Sequence, residues 1–189
     1  LPNHGLVRNG LWQLIQQHSG ATAASVTLMT ELDNLPYCSG SVKLQLCLTL
    51  TDSISIALSC SNQIPQQAAL HSYFALDNIA EVAVRPLPDS YYDKVSDSMQ
   101  QNSSKVARIT SETDRIYPDS ANQLRVDSDS SQLALTQTGH DATVVWNPWQ
   151  EKSIAIADLA ADSYRQFICV ETARLSSAAS TLALTQQIK

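Results

Sequence analysis

Val42-Lys43-Leu44-Gln45-Leu46-Cys47-Leu48-Thr49-Leu50 alternates without a slip. Successive side chains of an extended chain point to opposite sides. Val42, Leu44, Leu46, Leu48 and Leu50 therefore share one face, and Lys43, Gln45, Cys47 and Thr49 share the other. A period of two with one aliphatic face predicts a half-buried β-strand. Thr51-Asp52 reads as a turn, and the run from Ser53 to Ser59 alternates again through Ile54, Ile56 and Leu58, which predicts a hairpin. Similar short runs recur at Trp12–Ile15, Ala24–Leu32, Leu70–Leu76, Glu81–Val84, Gln123–Val126, Gln132–Thr138, Thr143–Trp146, Arg165–Thr172 and Thr181–Ile188. Pro36, Gly40, Pro65, Pro86, Pro88, Pro118-Asp119, the serines from Ser128 to Ser131 and Gly139 punctuate them. Many short strands with no long helical period predict an all-β fold, an antiparallel β-sandwich. A single helical turn is the alternative within Ile154 to Leu159. The polar stretch from Ser96 to Lys105 is expected to be a mobile loop or a hairpin tip.

The chain has 189 residues, 43% hydrophobic and 16% charged, which suits a single domain over residues 1–189 with its own core. Twelve Lys and Arg against 18 Asp and Glu leave a formal charge of -6, so nucleic acid is not an expected partner. No window approaches the roughly 18 unbroken apolar residues of a membrane-spanning helix, and no membrane partner is expected. The first residue is Leu1, with neither an initiator Met nor a signal segment, so the sequence reads as roughly the C-terminal two-thirds of a longer chain. Cys38, Cys47, Cys60 and Cys169 form no CxxC pair and have no companion histidines at ligand spacing. They read as reduced thiols of a cytoplasmic protein without a metal site. A Cys47–Cys60 disulfide is conceivable if their strands pair.

Four histidines and two carboxylates stand out. His18 and His140 lie beside turn residues and read as solvent-exposed. His4 sits among hydrogen-bonding side chains around Gly5. His71, in Leu70-His71-Ser72-Tyr73-Phe74, reads on spacing either as a satisfied core histidine or as a site residue. Glu171 follows the apolar run Phe167-Ile168-Cys169-Val170, where a carboxylate must be paired or face a cleft. Burial would move its pKa towards neutrality, where a general base works. Asp114 could be a site residue or a surface partner of Arg115. Trp146-Asn147-Pro148-Trp149 offers aromatic faces and an amide suited to a sugar, or a core indole beside a rigid turn.

Taken in order, Asn3-His4-Gly5-x-x-Arg8-Asn9, Leu70-His71-Ser72-Tyr73-Phe74, Thr113-Asp114-Arg115-Ile116-Tyr117, Trp146-Asn147-Pro148-Trp149 and Phe167-x-Cys169-Val170-Glu171 resemble the successive motifs of the aldose 1-epimerase superfamily. They are most similar to its glucose-6-phosphate 1-epimerase, or hexose-6-phosphate mutarotase, branch. The resemblance implies the galactose-mutarotase supersandwich, here lacking its N-terminal strands, with the sugar in an open cleft on one sheet. It implies catalytic roles for His71 and Glu171, and substrate-binding roles for Asn3, Arg8 and Asp114. Asn3 stands where the family usually has Gln. A second family arginine and a glycine- and proline-rich motif lie upstream of the position matching Leu1.

The implied reaction is interconversion of the α and β anomers of a hexose 6-phosphate, glucose 6-phosphate foremost, by an isomerase acting as a monomer. A base takes the C1 hydroxyl proton while an acid protonates the ring oxygen, and neither cofactor nor metal is needed. His71 and Glu171 are expected to face one cleft on the concave side of a sheet, a sugar ring's width apart. Arginine suits the phosphate because its fork binds two oxygens at once. The alternatives are a non-catalytic carbohydrate-binding domain and, third, a glycoside hydrolase using Asp114 and Glu171 as its carboxylate pair.

Overall fold

The computed structural model describes residues 4–35 and 38–189. Two antiparallel sheets face one another. The first has eight strands: β1 (Gln13–Ser19), β2 (Ala24–Leu32), β3 (Val42–Leu50), β4 (Ile54–Pro65), β7 (Ala83–Arg85), β11 (Gln123–Asp127), β12 (Gln132–Thr138) and β15 (Ala179–Ile188). Their spatial order is β1-β2-β3-β4-β15-β12-β11-β7. The second contains β5 (Ala68–Leu70), β6 (Tyr73–Ala75), β8 (Ser90–Asp93), β9 (Ser98–Gln101), β10 (Thr113–Pro118), β13 (Ala142–Asn147) and β14 (Phe167–Arg174). Its order is β5-β14-β13-β10-β8-β9, and β6 also pairs with β14. The all-β antiparallel sandwich expected from alternation is the observed architecture.

The core lies between the sheets. Ile168 and Val170 of β14, Val145 of β13 and Tyr117 of β10 point inward onto Val84, Leu124, Val126 and Leu135 of the facing sheet. Fully burying such a side chain contributes about 1.5–3 kcal/mol. A second cluster joins Val42, Leu44, Leu58, Leu182 and Leu184 to Leu70 of β5. The β3–β4 hairpin forms as expected, with Leu50 opposite Ile54. Its aliphatic stripe is buried only in its first half: Val42 and Leu44 are covered, whereas Leu50 is 55% exposed. The second sheet packs over β4, β15, β12, β11 and β7, so β3 lies at the limit of its cover. All seven residues of β1 are exposed.

Three local expectations change. Ser96 to Lys105 is not all loop: β9 lies inside it and pairs with β8. Asn102 is buried, its Nδ2 donating to the Pro88 carbonyl at 2.9 Å. Backbone bonding to one neighbour builds this edge strand, with no aliphatic face to announce it. The helix α1 runs Trp149–Ala155, five residues ahead of the expected turn. Cys47 faces Ala57 while Cys60 faces Leu44, which places the two thiols on opposite faces of the sheet and excludes their disulfide. All four cysteines are free. Gly139, between β12 and β13, has φ +74°, and a Cβ there would sit 1.8 Å from the Ala183 carbonyl oxygen, so only glycine fits.

Candidate active site

β14 separates the core from the site by simple alternation. Ile168, Val170 and Thr172 face inward, while Phe167, Cys169 and Glu171 face the outer side. Strand β5 pairs Leu70 with Thr172, and β6 pairs Tyr73 with Cys169, so His71 lies directly across from Glu171. Cross-strand neighbours on one face have Cβ atoms about 4.5–5.5 Å apart. The observed contact follows: His71 Nε2 lies 3.2 Å from Glu171 Oε1. The two side chains share a face, but the expected gap of a sugar ring's width is absent. Neighbouring register positions cannot hold side chains that far apart.

Both groups are largely removed from water, with Glu171 only 10% exposed. Burial first, then the negative charge of Asp114, pushes the Glu171 carboxyl up to about 7, and Lys94 partly opposes them. Burial first, then the positive fields of His4 and Arg8, holds His71 below the usual imidazole range. Near neutrality the pair can therefore hold one exchangeable proton, which these shifts favour on Glu171, and its titration belongs to both. His71 Nδ1 is buried without a hydrogen-bond partner among the described residues.

Around the pair, the His71 ring stacks on Tyr73 at 5.0 Å between centroids and meets the edges of His4 and Trp146 at 5.4 and 6.1 Å. Phe167 packs against Tyr73 and Trp146, completing an aromatic wall. A cavity of about 960 Å³ is lined by His4, Arg8, His71, Tyr73 and Glu171 on its polar side, and by Leu44, Leu58 and Leu182 on its apolar side. Arg8 is exposed at its margin and makes no ion pair among the described residues.

Asp114 stands on the same sheet face, across from Trp146. It is not a partner of Arg115, whose side chain lies over the Tyr91 ring at 5.0 Å. Its Oδ2 instead accepts from Lys94 Nζ at 2.9 Å. Lys94 carries no signal in the sequence, because it sits in the β8–β9 turn within a polar stretch. Adjacent Trp146 and Asn147 part company. Trp146 joins the aromatic wall, while Asn147 is fully buried and its amide is spent on the fold. Asn147 Nδ2 donates to the Tyr164 and Phe167 carbonyls at 2.8 and 2.9 Å, and its Oδ1 accepts from Trp149 N at 2.9 Å. That amide is not free for a sugar. Trp149 packs on Tyr164 and the core.

Of the other expectations, Asn3 lies outside the described residues. His18 is exposed, on β1 and not in a turn. His140 is half-buried, its Nε2 3.0 Å from the Ser120 carbonyl oxygen, because the tight Gly139 turn folds it back onto the β10–β11 connection. No helix among the described residues is long and apolar enough to cross a membrane.

The fold and the site can be set against known proteins. A protein of Escherichia coli K12 named "Putative glucose-6-phosphate 1-epimerase" is 29% identical over 181 residues, which is 93% of this chain and 62% of that protein. The Haemophilus influenzae protein of the same name is 29% identical over 177 residues, 92% of this chain and 62% of its own length. This chain thus spans about three-fifths of the curated relatives it matches. The crystal structure of "a putative mutarotase (YeaD) from Salmonella typhimurium" superposes with a TM-score of 0.89 at 26% identity, covering 100% of this chain and 67% of that one. With the aldose 1-epimerase profile matching residues 1–187, the chain belongs to the aldose 1-epimerase family.

Proposed function

We propose that the protein interconverts the α and β anomers of a hexose 6-phosphate, glucose 6-phosphate foremost, by acid–base opening and closing of the sugar ring. The observation that carries this reading is the 3.2 Å contact between His71 and Glu171 at the wall of a cavity large enough for the sugar. The hydroxyl oxygen O1 and the ring oxygen O5 share carbon C1. An acid and a base side by side can therefore reach both oxygens at once, and need not flank the sugar.

The pair with one exchangeable proton rests as neutral Glu171 beside neutral His71, and its competent form is the tautomer with ionised Glu171 beside protonated His71. Glu171 takes the proton of the O1 hydroxyl while His71 gives its Nε2 proton to O5. The C1–O5 bond breaks and C1 becomes an aldehyde. After rotation about C1–C2, the O5 hydroxyl attacks the other face of C1. His71 takes its proton back from O5 and Glu171 returns one to O1, so the pair ends as it began. This cycle needs no cofactor.

The aromatic wall of Tyr73, Trp146 and Phe167 gives the C–H face of a sugar an apolar surface. Arg8 at the cavity margin supplies a fork for the phosphate. Asp114, held by Lys94, offers an acceptor to a ring hydroxyl. The name borne by the bacterial relatives favours the phosphorylated sugar. The test is polarimetry of freshly dissolved α-glucose 6-phosphate with the full-length protein. Accelerated mutarotation that is lost in His71→Asn and in Glu171→Gln supports the reading, and a rate equal to buffer alone refutes it.

A further inference from the structure

A line of buried polar side chains crosses the interior of the sandwich. Gln186 of β15 is 1% exposed, Gln137 of β12 is 2% exposed, and Thr172 and Thr143 are fully buried beside them. Burying a primary amide is costly unless its donors and acceptor are all used, and an aliphatic side chain would fill the same space without that demand. Gln186 uses all of them. Its Oε1 accepts from Ser72 Oγ, and its Nε2 donates to the Val170 carbonyl and to Thr172 Oγ1, each at 3.0 Å. Thr172 Oγ1 passes the chain on to Gln137 Oε1 at 3.0 Å, and Gln137 Nε2 donates to Thr143 Oγ1 at 2.7 Å.

These partners are not arbitrary. Ser72 follows His71 in the chain, and Val170 and Thr172 flank Glu171. The pairing with β14 is also interrupted between β5 and β6, at His71 and Ser72 themselves. In that gap Val170 N donates to the Ser72 carbonyl at 3.3 Å, which is a long bond. The Gln186 amide, reaching over from the opposite sheet, supplies the closer links across the gap. We propose that Gln186 is a positioning residue for the reaction: its amide ties the His71 segment to the Glu171 strand from behind, and so sets the Nε2–Oε1 contact on the outer face. The inference rests on the reading of His71 and Glu171 as the acid–base pair.

The test compares full-length wild type with Gln186→Met, which keeps the volume and removes the amide. We expect kcat for glucose 6-phosphate to fall about tenfold to hundredfold with KM within about twofold, the pattern of misplaced chemistry with binding intact. We also expect the NMR titration of the His71 ring to move. The other titratable groups facing the pair, namely His4, Arg8, Tyr73, Lys94, Asp114 and Cys169, are unchanged, so a displaced titration reports geometry. A variant with lowered thermal stability but wild-type kcat and wild-type His71 titration would show that the amide merely joins two sheets, and would overturn the proposal. Should Gln186→Met fail to fold, Ser72→Ala deletes only the bond to Oε1, and the same two readouts decide. If wild type itself does not accelerate mutarotation, the proposed reaction falls, and the titration alone still judges whether Gln186 sets the pair.

Discussion

Replacing Glu171 with Gln should make the protein more stable and far less active, and the gain in stability should depend on pH. Raising a carboxyl from its ordinary 4.5 to about 7 costs the ionised form about 3 kcal/mol in the folded state. The sign follows from the direction. Folding favours the neutral form, so the contribution of Glu171 is whole below about pH 4.5 and is lost as pH rises through about 7. The amide introduced by Glu171→Gln would keep the shape and a bond to His71 Nε2 without ever ionising. At pH 4 the two proteins should therefore unfold alike. By pH 8.5 the variant should be ahead by about 3 kcal/mol, or about 6–12 °C in Tm for a chain of this size. Thermal and urea unfolding across pH 4 to 9 would measure the difference. Turnover should meanwhile drop by about 10²–10⁴, the worth of a positioned general base. A constant stability difference across that range would refute the claim that burial and Asp114 hold this carboxyl neutral, whatever happens to the activity.

Because the competent pair holds a single proton, kcat/KM should follow a bell, with its alkaline limb near pH 7 and its acid limb below the usual imidazole range. A plateau from pH 6 to 9 would sink the shared-proton scheme. Arg8→Ala should cut the preference for glucose 6-phosphate over glucose by about tenfold to hundredfold, since each charge-assisted hydrogen bond contributes about 1.5–3 kcal/mol. Polarimetry on both sugars reads it, and an unchanged ratio removes Arg8 from the phosphate site. Asn147→Ala strands the buried Tyr164 and Phe167 carbonyls and the Trp149 amide, at about 1–3 kcal/mol for each group left unsatisfied. Chemical denaturation should show that loss, and a neutral result would mean that water replaces the amide.

The fold was legible where a strand has one aliphatic face. β2, β3 and β12 begin and end where their alternation does. It was illegible where the outer face carries the site or is merely polar. β10 places Thr113, Arg115 and Tyr117 inward and Asp114 and Ile116 outward, so neither face reads as apolar and the strand gives no signal. β9 is the edge strand of its sheet and β8 lies beside it, where backbone pairing keeps a largely polar segment extended. The candidate site was legible by residue type: an ionisable group in an apolar stretch is conspicuous, and His71 and Glu171 are both of that kind, although His71 reads equally as a core histidine. Their spacing was not legible, because it depends on the register of β5 and β6 on β14. Nor does composition distinguish Trp146, which joins the aromatic wall, from Asn147, which is consumed one residue later by two carbonyls and an amide.

The order of charges along the site bears on how a hexose phosphate would lie in it. Asp114 is the leading charge acting on Glu171, whereas His4 and Arg8 are the leading charges acting on His71. The site is thus graded from negative at the Asp114 end to positive at the Arg8 end. A hexopyranose 6-phosphate is graded in the complementary sense about its anomeric carbon. On one side of C1 lies C2 with a hydroxyl that can donate to a carboxylate. On the other lies O5, then C5 and the carbon bearing the dianionic phosphate. If Glu171 serves O1 and His71 serves O5, the phosphate falls on the Arg8 side and the C2 hydroxyl on the Asp114 side without any further adjustment. The reversed pose would take the phosphate away from Arg8 to the side of Asp114 and its Lys94 partner, and leave Arg8 facing a neutral hydroxyl. Burial and then the charge of Asp114 lift Glu171, and under the proposed reaction Arg8 would supply the local attraction for a dianion that a chain of net charge -6 does not.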